Sequence, residues 1–172
     1  MGRHLVISLV ILLVPMSAFA QEVPPAHMRF EVVGAESAPE MIDTAIVDAT
    51  RDLGLLQRTL VRAELRDRIE APDTVTIVFD RRIVTVEVGG ERPMTTPNDG
   101  TRIRRVMPDG AMVSFAQFVG PRLVQQSIRR GDVRRDIVFE FGPARHLMFM
   151  HITIRHPALT HPVRLTLTYR AM

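Results

Sequence analysis

The rhythm of apolar residues changes once along this chain, at Asp73, and that change constrains the fold more than any other feature. Before it, apolar residues recur at three- and four-residue steps; after it they alternate with polar ones almost to the last residue. A period of 3.6 belongs to a helix with one buried stripe. A period of two belongs to strands with one buried face.

In the helical stretch, Ile42, Ile46, Ala49, Leu53, Leu56, Leu60 and Ala63 form the predicted stripe, and Gly54 within it is a point where the helix kinks or splits. Ser37 and Glu40 have the spacing of a capping box, and Pro39 suits a first turn. Arg58, Arg62, Arg66 and Arg68, with Glu64 and Asp67, line the wet face, and Ala71-Pro72 ends the element. Residues 28–33 read as a short strand before it, ended by Gly34.

Three hairpins can be registered from alternation alone. A tight turn at Arg81-Arg82 sets Phe79 opposite Val84, Ile77 opposite Val86 and Val75 opposite Val88. Gly131-Asp132 makes a two-residue turn that pairs Val124 with Phe139, Gln126 with Ile137 and Ile128 with Arg135. A hairpin closed between His156 and His161 pairs Ile154 with Val163, Ile152 with Leu165, Met150 with Leu167 and Met148 with Tyr169. A slip of one residue would turn each apolar set outward, so the registers are well determined. With strands at 101–107 and 111–118, joined by Pro108-Asp109-Gly110, the count is about eight. The predicted fold is α+β: an N-terminal helix, residues 41–69, packed on a strongly curved, mostly antiparallel up-and-down sheet, as an open or closed barrel. A membrane barrel fits poorly, because such barrels carry aromatic girdles and this chain has no Trp and one Tyr.

Residues 1–20 have the three parts of a secretory signal: Arg3 and His4, an apolar run from Leu5 to Val14, and Ala18-Phe19-Ala20 before Gln21. The run is far short of the ~20 residues that span a bilayer. The expectation is a cleaved signal peptide, a single domain over residues 21–172, and a periplasmic or secreted bacterial location with no transmembrane segment after cleavage. The absence of cysteine excludes disulfides, thiolate chemistry and a cysteine-linked lipid anchor. The high isoelectric point, near 10.7, does not signal nucleic-acid binding. All 22 basic residues are arginine, the formal charge is only +3, and the arginines are interleaved with acids.

Candidate chemistry is sparse. His146, His151, His156 and His161 recur every five residues, an odd step that sends successive members to opposite faces of a strand. His156 and His161 alone are cross-strand neighbours, a weak metal pair; no metal or other cofactor is expected. Ser114 and Ser127 lack an identifiable base, no nucleophile elbow or phosphate loop occurs, and Arg130-Gly131-Asp132 is explained as a turn. No catalytic residue is assigned. Glu87, Asp136 and Glu140 fall on outward faces. The concave face is the remaining candidate: Phe139, Met148 and Met150 form an apolar wall, with Gln126, Arg135 and Tyr169 as its few polar groups.

The C-terminal part resembles a group of uncharacterised exported bacterial proteins with lipocalin-like β-meanders. The resemblance covers roughly residues 73–172. It rests on Pro108-Asp109-Gly110, Arg122-Leu123-Val124-Gln125 and Gly131-Asp132-Val133-Arg134-Arg135, then His151-Ile152-Thr153-Ile154 and the stretch from Pro162 to Arg170. It implies a cup for a small apolar molecule, with the departure that the helix here comes before the strands. The expected function is a non-enzymatic domain binding a small apolar or amphipathic ligand. The alternative is an envelope protein–protein interaction module, with residues 28–33 or 101–107 as the exposed edge; an envelope hydrolase is third.

Overall fold

The computed structural model describes residues 27–172 apart from 81, 98, 100, 102, 107–111, 117–122 and 143–144, and gives backbone only at 105, 112–116, 123–127, 129 and 130. The expected signal peptide, residues 1–20, lies outside the described residues, as does the Pro108-Asp109-Gly110 connection. The element order is β1 (His27–Val32), α1 (Ala38–Thr50), α2 (Leu55–Arg66), β2 (Thr74–Phe79), β3 (Ile83–Val88), β4 (Met94–Pro97), β5 (Ile103–Val106), β6 (Met112–Ala116), β7 (Leu123–Arg130), β8 (Val133–Phe141), β9 (Leu147–Arg155) and β10 (Val163–Ala171).

All ten strands belong to one antiparallel sheet, in the order β4-β3-β2-β1-β10-β9-β8-β7-β6-β5. The strand registers read from alternation are present: Phe79 faces Val84 and Val75 faces Val88, Val124 faces Phe139 and Ile128 faces Arg135, and Ile154 faces Val163 and Met148 faces Tyr169; the expected His156–His161 pair lies beyond the end of that ladder. Ile152 and Leu165 are buried while Thr153 and Arg164 point outward, so the apolar face is the enclosed one.

The sheet is strongly curled. Between β2 and β8 lie β1, β10 and β9, which in a flat sheet would separate them by about 19 Å. Yet the ring centroids of Phe79 and Phe141 are 6.0 Å apart, and those of Phe30 and Phe141 are 5.9 Å apart. The two arms of the sheet fold toward each other, and these three rings fill the space between them. The strand order is linear; among the described residues no pairing joins β4 to β5.

Four sequence expectations are corrected. The strands number ten, not about eight, because β1 and the short β4 both join the sheet. The helical region follows β1, as the strand read over residues 28–33 implies, but it is two helices rather than the one expected over 41–69. Residues 28–33 are not an edge: β1 sits centrally, bonded to β2 and to β10. The ends of the order are β4 and β5, so the other candidate edge, 101–107, does contain a terminal strand. Finally, Ser37 does not cap α1. Its backbone is already helical, and its hydroxyl donates to the Gly34 carbonyl at 2.9 Å.

Gly54 divides the helices in an extended conformation, φ −60° and ψ 155°. On α1 the stripe holds: Ala38, Ile42, Ile46 and Thr50 are its buried residues. On α2 the break resets the helical phase, so the buried residues are Val61 and Leu65. Leu56 and Leu60, expected inside, are 83% and 73% exposed. Arg58 donates to the carbonyls of Arg51 and Leu53 at 2.8 and 2.7 Å, satisfying acceptors beyond the end of α1. Arg62 Nε donates to the buried Thr50 hydroxyl at 2.8 Å. The helices form a cap whose buried residues join the sheet's core, and they are bonded to each other at the Gly54 end and again through Arg66 and Asp43.

Candidate functional site

Helix α1 packs on β10, and α2 is tied to the sheet by polar bonds. Glu64 Oε2 lies 3.0 Å from His156 Nε2, and Arg68 holds the other carboxylate oxygen at 2.7 Å. His156 Nδ1 accepts the Ala158 N–H at 3.1 Å, which puts the imidazole proton on Nε2, facing Glu64. The bond from His156, and then the one from Arg68, hold the Glu64 carboxyl below the usual glutamate range. From β8, Arg135 donates to the Arg68 carbonyl at 3.0 Å. From β10, the Tyr169 hydroxyl donates to the Pro72 carbonyl at 2.9 Å. Burial, and next the charge of Asp73, push the Tyr169 phenol well above its ordinary value.

Between these attachments a cleft of about 860 Å³ opens where four segments converge. The start of α1 supplies Ala38, Pro39, Ile42 and Asp43. The end of α2 and the chain after it supply Arg66 and residues 69–74. The end of β3 supplies Val88 to Glu91, and β8 supplies Arg135. Gly89, at φ +59°, lets the chain leaving β3 turn against Pro72: a Cβ there would lie 3.2 Å from Pro72 Cβ. Its walls are Ile42, Ile69 and Val88. Arg66 and Asp43 form a paired rim, with Arg66 Nε to Oδ1 at 2.8 Å and the second bond at 3.1 Å; these bonds hold the Asp43 carboxyl below its ordinary value.

Of the six residues expected to line a pocket, Arg135 reaches this cleft. Tyr169 lies beneath it, bonded to its wall at Pro72. Phe139, Met148 and Met150 have no exposed surface and form the solid core, Phe139 opposite Met150 and Met148 opposite Tyr169. Ile46 of α1 is buried in the same core. The Gln126 side chain lies outside the described residues; its backbone pairs with Ile137. Sequence reasoning missed Arg66, Glu70, Asp73 and Glu91. The adjacent glycines Gly89 and Gly90 are a turn signal, but nothing local shows what such a turn would face.

The histidines do not assemble a metal centre. Both ring nitrogens of His156 are engaged, His161 is exposed, and no group of three metal-ligating side chains occurs among the described residues. His151 lies between Glu140, at 3.1 Å, and Thr166, at 3.0 Å. This carboxylate–imidazole–hydroxyl row crosses three strands on the outward face. Half of the Glu140 side chain is in solvent, which fits a cross-strand polar ladder.

No protein-family model matches the chain, and no curated protein does. Solved structures with partial likeness include a fatty-acid-binding protein from brain tissue of Drosophila melanogaster. It is 17% identical, with a TM-score of 0.48 over 83% of this chain and 96% of that one. A Schistosoma mansoni fatty-acid-binding protein in complex with arachidonic acid is 12% identical, with a TM-score of 0.46 over 88% and 98%. The fatty acid transporter REP1-NXSQ is 13% identical, with a TM-score of 0.41 over 86% and 94%. Alignments of that quality assign neither ligand nor activity to this chain.

Proposed function

We propose that this protein is a non-enzymatic binding domain for a small apolar or amphipathic molecule, working in the periplasm or outside the cell after removal of residues 1–20. The observation that carries the reading is the cleft between cap and sheet. Its volume, about 860 Å³, falls within the ~300–1,000 Å³ of small-molecule sites, and it joins apolar walls to a few charged groups. It lies between segments distant in sequence, and going deeper would require separating the buried helix residues Ile46 and Leu65 from the sheet. Phe139, Met148 and Met150, which have no exposed surface, would meet a ligand only after such a separation.

Native mass spectrometry of protein recovered from its own host tests this directly. A co-purifying small molecule, with amide NMR shifts at Ile69 and Val88 when it is returned to stripped protein, supports the reading. No such molecule, and no shift there with any C12 amphiphile, refutes it. N-terminal sequencing that starts at Gln21 would support export; an intact Met1 would not.

A second reading, an interaction module, is favoured by Leu55, Leu56 and Leu60, which are 76%, 83% and 73% exposed on one helix. In-cell cross-linking from this helix that yields only monomer counts against it.

A further inference from the structure

We infer that the cleft prefers an amphiphile with a positively charged head, a protonated amine or quaternary ammonium, over one with a carboxylate. The inference rests on the cleft being the binding site, as proposed above; the acids do not create that site but select its occupant.

Six charged side chains line the cleft: Asp43, Glu70, Asp73 and Glu91 against Arg66 and Arg135. Arg66 is spent on Asp43 in a two-bond pair. Arg135 turns a guanidinium nitrogen to the Arg68 carbonyl. Glu70, Asp73 and Glu91 form no ion pair among the described residues. The sum over the six is −2. The two helix ends do not change it, because α1 presents its positive N-terminus and α2 its negative C-terminus to the same space. The negative field also reaches inward, since Asp73 helps to raise the Tyr169 phenol. An anionic head would sit beside three carboxylates, with Arg66 held by Asp43 and Arg135 as the other cation of the lining. A cationic head would gain from each, while Ile42, Ile69 and Val88 hold its chain.

The test compares dodecyltrimethylammonium with dodecanoate, same chain and opposite heads, both below their micelle concentrations. Binding to the full-length protein is followed by calorimetry and by amide shifts at Ile69 and Val88. We expect the ammonium probe to bind about 5-fold tighter at low salt, with the gap closing in about 0.5 M NaCl. In a Glu70→Gln/Glu91→Gln double variant, both sites being exposed, the gap should shrink to about 2-fold or less. Equal or tighter binding of dodecanoate, or a preference that survives the double variant unchanged, overturns the inference while leaving the cleft a binding site. If neither probe shifts these amides, the binding reading fails and this one with it.

Discussion

The ring of Phe79 stands edge-on to that of Phe141, centroids 6.0 Å apart and planes at 61°, although three strands separate their own. Such a contact joins the two arms of the sheet directly rather than through the hydrogen-bonded ladder. Phe141→Ala is expected to destabilise the fold by about 3–5 kcal/mol, and the Phe79/Phe141 double-mutant cycle to show a coupling of about 1 kcal/mol. Urea unfolding checks both. Additive losses would mean that the arms are not coupled here.

The phase of α2 gives a sharp contrast. Leu65 is fully buried and Leu60 is 73% exposed, five residues apart on one helix. Leu65→Ala should cost about 2–5 kcal/mol, whereas Leu60→Glu should stay within about 0.5 kcal/mol. Thermal unfolding of the two variants distinguishes this phase from the continuous stripe that sequence periodicity suggested. A large loss from Leu60→Glu would place that residue in the core.

Tyr169 is the sole tyrosine, so phenolate absorbance reports one site. Its raised value means that the folded state holds the proton more tightly than the unfolded one. The stabilisation is therefore complete below the ordinary phenol range, about 10, and is lost as pH rises above it. Phenolate should form only with alkaline unfolding. Tyr169→Phe should cost about 1 kcal/mol at neutral pH through the lost bond to Pro72. A phenolate signal near pH 10 from folded protein contradicts this placement.

The bond between His156 and Glu64 should be worth about 1 kcal/mol in His156→Ala, with His156→Gln recovering part of it through its amide donor. Because the Glu64 carboxyl is held low, its contribution is present above the ordinary glutamate range, about 4.3, and is lost as pH falls through the lower folded-state value. The stability difference between wild type and Glu64→Gln should then be largest at neutral pH and disappear at acid pH. A difference independent of pH would remove the carboxylate from the contact.

Most of the sheet was legible because alternation has a strict period: placing Ile152, Leu165 and Val86 inside fixes their partners without reference to the rest of the chain. What failed did so for separate reasons. Met94-Thr95-Thr96-Pro97 is too short and too polar to announce β4. Gly54 was visible as a break, but the rotation it allows between α1 and α2 depends on how the cap docks, which inverted the expected environment of Leu56 and Leu60. The methionines were correctly placed on the apolar face, yet residues that line a cavity and residues that fill one have the same pattern. The cleft was not legible, because Ile42, Ile69, Gly89 and Arg135 meet only when four separate segments converge.

The place of β1 between β2 and β10 sets an order of events during synthesis. Residues 27–32 can find β2 soon after both leave the ribosome, but their other flank stays vacant until residues 163–171 arrive, well over a hundred residues later. For that interval the nascent chain presents an unsatisfied backbone ribbon along β1. A holding chaperone would find its purchase there, and truncations just short of β10 should aggregate rather than settle into a smaller domain.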